Sequence, residues 1–435
     1  MTRRALPRSP LTREIVALLA SWRIRAWFVV LVAYSVLLLN LPLFNVLGFE
    51  FALASTIPLT FAAGHLGTTA IDLARRHHTD WPRESGARIA ARRFTASLVV
   101  LMLFLFVPVV AGLIGAAFIL NCNLARGLAL YALLPLPGAL LALATGQFVG
   151  ALIPRRVWPT IAFIAIVLAT AVWALFTFVT EPTIALYHPF VGYYPGSLYD
   201  ERIESSPALL IYRATTIALA LGLSLLVIAA FDAEKLRLRV AAARSRPLLS
   251  GVAVFILIAV GVVLSFGGRI GFSVTRRDIE RELSARHETE RVTIHYAPSA
   301  DTARDIVRIA TEHDFQIAEI ERRLGLKYPR RIHSYIYPNA DTKARLMGAR
   351  NTYIAKPWLR EIHIQHQPFP HPVLRHELVH VVAGELAAPP FHVSQSGLLT
   401  FNIGLIEGIA VAVDWQDDRL TPHHAAAAIH RLPGR

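Results

Sequence analysis

Seven long apolar stretches fill most of the chain before Ser273 and limit what it can become more than any other feature. They lie near residues 26–47, 50–71, 96–120, 127–152, 157–179, 208–231 and 250–271. At a rise of about 1.5 Å per residue, most can cross about 30 Å of hydrocarbon as single helices. The second is the least apolar, because it carries Pro58, His65 and several small polar residues. The start of the chain is basic, with Arg3, Arg4, Arg8, Arg13, Arg23 and Arg25. No small-residue cleavage site closes the long apolar run that follows, so an uncleaved first span is expected rather than a signal peptide.

The loops between these stretches fix a topology. With the N-terminus in the cytoplasm, seven spans place the N-terminal arm and loops 72–95, 153–156 and 232–249 inside, where they carry 19 Lys and Arg. The opposite loops, 48–49, 121–126 and 180–207, hold only Arg126 and Arg202. Such a bias is the positive-inside pattern. Omitting the second stretch would send the six arginines of loop 72–95 outside, so seven spans are expected. An odd number puts everything from Ser273 onward on the outer face of a bacterial-type cytoplasmic membrane, in the periplasm or extracellular space.

Charge supports the same division. The formal net charge is +14. Before Ser273 the chain holds 23 Lys and Arg against 11 Asp and Glu, net +12; from Ser273 onward it holds 21 against 19, net +2. The basicity therefore belongs to the apolar half, facing cytoplasm and anionic lipid; the expected partner is the lipid bilayer, and no nucleic acid is implied. The single cysteine, Cys122, excludes an intrachain disulfide framework and a cysteine-based zinc site. Two features of the spans stay open. Arg213, near the outer end of the sixth, is either a functional intramembrane charge or a snorkelling one. Tyr187, Tyr193, Tyr194 and Tyr199 in loop 180–207 read as an aromatic belt or as a platform beneath the outer domain.

The outer domain carries the chemistry. Arg375 to His380 reads RHELVH, an H-E-x-x-H pattern. On a helix, His376 and His380 lie one above the other and can share a metal ion, while Glu377 stands beside it to take a proton from water. Leu378, Val379, Val381 and Val382 give the same helix a core-facing side. A third ligand is expected from GLIEGIAVAVDW, residues 404–415, where Glu407 interrupts an apolar stretch with near-helical spacing. A lone carboxylate on a largely buried helix needs a partner. Two histidines and a glutamate with an open water position form a standard catalytic zinc set, so Zn²⁺ is the expected cofactor.

HELVH at 376–380, followed downstream by the IEG of a second helix at 406–408, resembles the gluzincin metallopeptidases, thermolysin-like and aminopeptidase-like zincins, over roughly residues 290–420. The resemblance implies His376, His380 and Glu407 as zinc ligands, Glu377 as general base, and a peptide or protein substrate. It also implies that the strand before the H-E-x-x-H helix, residues 360–365, is the sheet edge lining the cleft. Family members draw the oxyanion donor from a helical region after the Glu-ligand helix. Here the sequence stops soon after Glu407, at HHAAAAIHRLPGR and without a tyrosine, so the domain is expected to be incomplete at its C-terminus. His423, His424 and His430 are the tail's only imidazoles. Asp414, two turns after Glu407, is a candidate to orient a ligand histidine.

Between the spans and the motif, residues 273–290 are expected to form a helical linker. Strands at 292–296, 331–338 and 360–365 alternate with helices at 301–324, which Gly325 would cap, and 341–347. His363 and His366 read as surface residues. The expected whole is an α-helical transmembrane bundle of about seven spans (1–272), a linker (273–290) and an extracytoplasmic α+β zincin-like domain (291–435). The leading functional expectation is a membrane-anchored zinc metallopeptidase. The alternative is a permease-like or transporter-like protein with an appended regulatory or degenerate peptidase domain, although no internal repeat supports a transporter.

Overall fold

The structure, a computed structural model, describes residues 9–76, 84–119, 123–196, 203, 205–298, 300–395, 400–414 and 424. Arg3, Arg4, Arg8, Cys122, Tyr199, Arg202, His423 and His430 lie outside the described residues. The chain divides into two compact units. One comprises the chain up to Phe178 with Ala185–Gly196 and Ile203–Ser273; the other takes in Val179–Ile184 and the chain from Val274 onward.

The first unit is helical: α1 (Pro10–Ala20), α2 (Trp22–Leu39), α3 (Phe49–Arg76), α4 (Gly86–Ala116), α5 (Leu124–Leu133), α6 (Pro135–Leu152) and α7 (Trp158–Thr180, whose last two residues group with the second unit). A hairpin of β1 (Leu186–His188) and β2 (Gly192–Tyr194) follows, then α8 (Pro207–Ala230), a short pairing of β3 (Phe231–Asp232) with β4 (Arg237–Leu238), α9 (Val240–Arg244), α10 (Pro247–Ser265) and α11 (Gly267–Ile270). Several starts show the sequence signature of a hydroxyl N-cap followed by proline: Ser9 before Pro10, and Ser206 before Pro207. Among the described residues, six helical stretches are long and apolar enough to cross a membrane: α2, α4, the α5–α6 run, α7, α8 and α10. The chain is an integral membrane protein. On α7 and α10, residues such as Trp173, Phe176, Phe255 and Ile258 point outward, the surface that lipid would cover.

The expected second span does not belong to this set. It forms α3, but its Ser, Thr, Gly and His residues hold its hydropathy below that of the other six. Those small polar residues serve packing instead, for 18 of its 28 residues are buried. A Cβ on Gly67 would lie 2.5 Å from Leu143 O, and one on Gly146 would lie 2.2 Å from Gly64 O, so α3 and α6 run backbone against backbone.

Arg213 does not snorkel. It is 1% exposed, and its guanidinium donates to Leu133 O (3.0 Å), Leu134 O (2.8 Å) and Pro189 O (3.2 Å). The reason is local. Pro137 has no N–H to offer Leu133 O four residues back, and the α5–α6 run breaks at Leu134. Other arginines counted as loop charges have similar duties: Arg75 donates to Gly150 O (2.7 Å) and Arg246 to Ala229 O (2.8 Å), carbonyls at the ends of α6 and α8. Glu14 on α1, 2% exposed, is paired with Arg92 (2.6 Å) and Arg93 (3.2 Å) of α4.

The second unit contains α12 (Arg276–Glu282), β5 (Ala285–Glu288), β6 (Val292–Tyr296), α13 (Ala300–Leu324), β7 (Ile332–Tyr337), α14 (Ala340–Met347), β8 (Ile354–Lys356), β9 (Glu361–Gln365), α15 (Leu374–Ala383) and α16 (Ile403–Asp414). Its sheet runs β5-β6-β7-β9-β8; β6, β7 and β9 are parallel, and β5 and β8 antiparallel to their neighbours. Gly325 ends α13 with φ +66°, as a left-handed cap requires. Residues 273–290 are only partly helical, since Thr275 caps the short α12 and a strand, β5, follows. Nor is β9 the sheet edge. Ile354, Ala355 and Lys356 of β8 pair with His363, Ile362 and Glu361, so β8 forms that edge.

The sheet has two unlike faces. Val292, Ile294, Ile332, Ile336, Ile362 and Ile364 pack against Ile317 and Ile320 of α13 and Leu378 and Val382 of α15. The opposite face carries His295, Tyr335 and His363 stacked in a row, with centroid separations of 4.5 and 4.8 Å. His363 is therefore fully buried rather than a surface residue, with its Nδ1 3.0 Å from Tyr337 Oη. Val274, Ile279 and Leu283 cover this face together with Ile184. The strap Val179–Ile184 is tied down by Lys356 Nζ to Glu181 O (2.8 Å) and Thr183 O (2.9 Å), and by Trp358 Nε1 to Val179 O (2.8 Å). Arg276 joins both chain entries to the sheet, its backbone N–H bonding Glu181 (2.7 Å) and its guanidinium Glu361 (2.7 Å).

Candidate metal centre

α15 is held as its sequence requires. Leu374, Leu378, Val379, Val381 and Val382 are buried, each contributing about 1.5–3 kcal/mol of hydrophobic stabilisation. Polar contacts set its angle: Arg375 Nε donates to Gln316 of α13 (2.6 Å), and Glu312 accepts from His371 N (2.8 Å). Across the helix from the core, the His376 and His380 rings lie 4.9 Å apart between centroids and nearly perpendicular, at 83°.

α16 brings the third group. Asn402 accepts from Leu405 N (3.1 Å) at its start, Ala410 and Val413 insert into the core, and Arg323 of α13 donates to Val413 O (2.9 Å) at its far end. The rest of the helix is exposed or half-buried, contrary to the expectation of a largely buried one, and the Glu407 side chain is 43% exposed. It is the neighbouring imidazoles, rather than burial, that partner this carboxylate. Asp414 closes the helix. Glu407 Oε2 lies 3.3 Å from His376 Nε2 and 3.7 Å from His380 Nε2, and the three ligand atoms all fall within 4.8 Å of one another.

These distances can be tested against an ion. Zinc–nitrogen and zinc–oxygen bonds of about 2.0–2.2 Å in tetrahedral array set neighbouring ligand atoms about 3.3 Å apart. The observed separations approach that value, and the donors are two imidazoles and a carboxylate, so the residues fit the ion. Among the described residues this is the only such group. Burial holds the His380 imidazole below its ordinary value, against the opposing Glu407 charge and with a smaller contribution from His376, which favours the neutral form a metal needs. Glu377 is 6% exposed, and burial followed by the nearby Glu407 charge pushes its carboxyl up to about 8, with Lys343 opposing. A cation among the ligands would act against that rise.

Two residues near Glu377 escaped the sequence. Lys343 on α14 is fully buried, and Tyr353 stands just before β8. Lys343 did leave a trace, since it shares the buried face of α14 with Leu346 and Met347, where a lysine is out of place. Tyr353 left none. Of the tail imidazoles, the described His424 is exposed. The chain matches no protein-family model, and a search of curated proteins returns no match.

Proposed function

We propose that the second unit is a zinc-dependent metallopeptidase of gluzincin type, carried by a polytopic membrane unit and acting on peptides or proteins outside the cytoplasm. The observation that carries the proposal is the convergence of His376, His380 and Glu407 within 4.8 Å of one another, next to the buried carboxyl of Glu377. His376, His380 and Glu407 would hold Zn²⁺. When bound, the ion supplies Lewis acidity to a carbonyl and to water. Glu377 takes the proton of the attacking water and returns it to the leaving amine. The edge strand β8 offers main-chain hydrogen bonds to an extended peptide.

Zinc content and cleavage of a mixed-sequence quenched fluorescent peptide, measured on the purified full chain, test this reading. Wild type should hold about one zinc and cleave. Glu377→Gln should keep the zinc and lose turnover by about 10³-fold or more, whereas Glu407→Ala should lose the zinc. A wild-type chain without zinc would sink the proposal.

In the membrane unit, α3 is proposed as a seventh span. Its 28 residues reach about 42 Å, and the positive-inside bias requires it. The N-terminus is then cytoplasmic, and the catalytic unit periplasmic or extracellular.

A further inference from the structure

A peptidase site of this kind needs a hydrogen-bond donor where negative charge develops on the scissile carbonyl oxygen. The imidazoles near the start of α15 are committed elsewhere. His371 places Nε2 2.9 Å from Gln365 O and accepts from Val373 N at Nδ1 (3.4 Å), while His366 faces Asp305 at 3.6 Å.

Tyr353 is differently placed. Side chains alternate across the edge strand: Ile354 joins the cluster on the far face of the sheet, whereas Tyr353 and Ala355 pack on the side of α15, against the core that contains Leu374 and Leu378. The phenol therefore lies on the metal-helix side of the strand that an extended substrate would pair with. It is half-buried, and its oxygen accepts a long bond from Gln367 Nε2 (3.5 Å), which leaves its own O–H proton free to donate. One ring face is covered by Lys343 Nζ, 4.1 Å from the centroid and fixed by Thr352 O at 3.0 Å. A cation over the ring withdraws electron density and makes the O–H a stronger donor. Burial, with the Glu377 charge adding, holds the Tyr353 phenol above its ordinary value, and Lys343 acts on Glu377, so the three share one neighbourhood.

We propose that Tyr353, polarised by the Lys343 ammonium on its ring, is the catalytic hydrogen-bond donor to the oxyanion formed when water adds to the scissile carbonyl. The inference rests on the peptidase reading above and departs from the resemblance, which would draw this donor from beyond the Glu407 helix. In the addition step the water oxygen bonds to the carbonyl carbon, the π pair moves to the carbonyl oxygen, and the water proton goes to Glu377. Tyr353 donates a hydrogen bond to the new oxyanion and transfers no proton. Collapse re-forms the carbonyl and breaks the C–N bond, with the proton of Glu377 passing to nitrogen.

The test compares the purified full chain with Tyr353→Phe by zinc content, thermal midpoint, kinetics on the quenched peptide, and binding of a phosphinic pseudo-peptide flanked by alanines. The tetrahedral phosphinate mimics the oxyanion, and its binding is read without turnover. Tyr353→Phe should keep about one zinc and leave KM within about threefold, while kcat and phosphinate affinity both fall about 10²-fold. If zinc and fold are retained and both quantities stay within about threefold of wild type, Tyr353 only packs and the inference is overturned. An inactive wild type that also fails to bind the phosphinate overturns the peptidase reading itself, and this assignment with it.

Discussion

Removing the Arg213 guanidinium would leave three carbonyls, those of Leu133, Leu134 and Pro189, without the donor that now reaches them. An unsatisfied buried acceptor costs about 1–3 kcal/mol, and no lipid can substitute. Arg213→Met should therefore destabilise the helical unit by about 3 kcal/mol or more in detergent unfolding, and Arg213→Lys, with a single ammonium, should recover only part. Wild-type unfolding of Arg213→Met would mean that those carbonyls find other donors. Residue-level chemistry of this kind is unevenly legible in sequence. The His376–His380 pair could be read because the pitch of one helix fixes it. Glu407 could be read as a carboxylate out of place among apolar residues, although the partner histidines and not burial account for it. Tyr353 could not, because only the pairing of β8 with β9 brings it to the α15 side of the sheet.

At the level of elements, the sheet is packed with imidazoles held neutral. Burial lowers His295 and His313 to about 4 from an ordinary 6.5, and lowers His333 and His363 in the same direction. The unfolded chain then binds protons before the folded one does, so their contribution is complete above pH 6.5 and is lost as pH falls toward 4. Each imidazole adds a slope of up to about 1.4 kcal/mol per pH unit. Glu312 and Glu377, held above the ordinary carboxylate value by burial, work the opposite way, so a single substitution is the cleaner probe. His295→Gln should lose less stability than wild type between pH 6.5 and 4.5 in chemical denaturation; equal losses would show that His295 titrates alike in both states. The strands β6, β7 and β9 were visible as apolar alternation. The sequence hid β5, which is polar and partly exposed, and β8, which is three residues long and takes its state from its neighbour. For α3 the length was legible, but its small polar residues hid how deeply it packs.

For the whole molecule, the proposed topology can be read by labelling with an impermeant maleimide in intact bacterial cells, using a Cys122→Ser background. Ala125→Cys and Asp301→Cys should react from outside, and Arg88→Cys and Ser245→Cys only after permeabilisation. External labelling of Arg88→Cys would remove α3 from the spans, and protection of Asp301→Cys would place the sheet unit inside. The strap Val179–Ile184 bears on a different matter. Lys356, Trp358 and Arg276 fasten it to the sheet unit, yet the chain then leaves for α8 and α10 before it returns at Val274. Among the described residues the sheet unit is thus joined to the helical one at three points, Phe178–Val179, Ile184–Ala185 and Ser273–Val274. One cut near Gly271 cannot shed it, and a fragment beginning at Val274 would carry a buried Lys356 without the carbonyls that satisfy it. Detaching the sheet unit with its strap takes three cuts, one on each side of the strap and one before Val274.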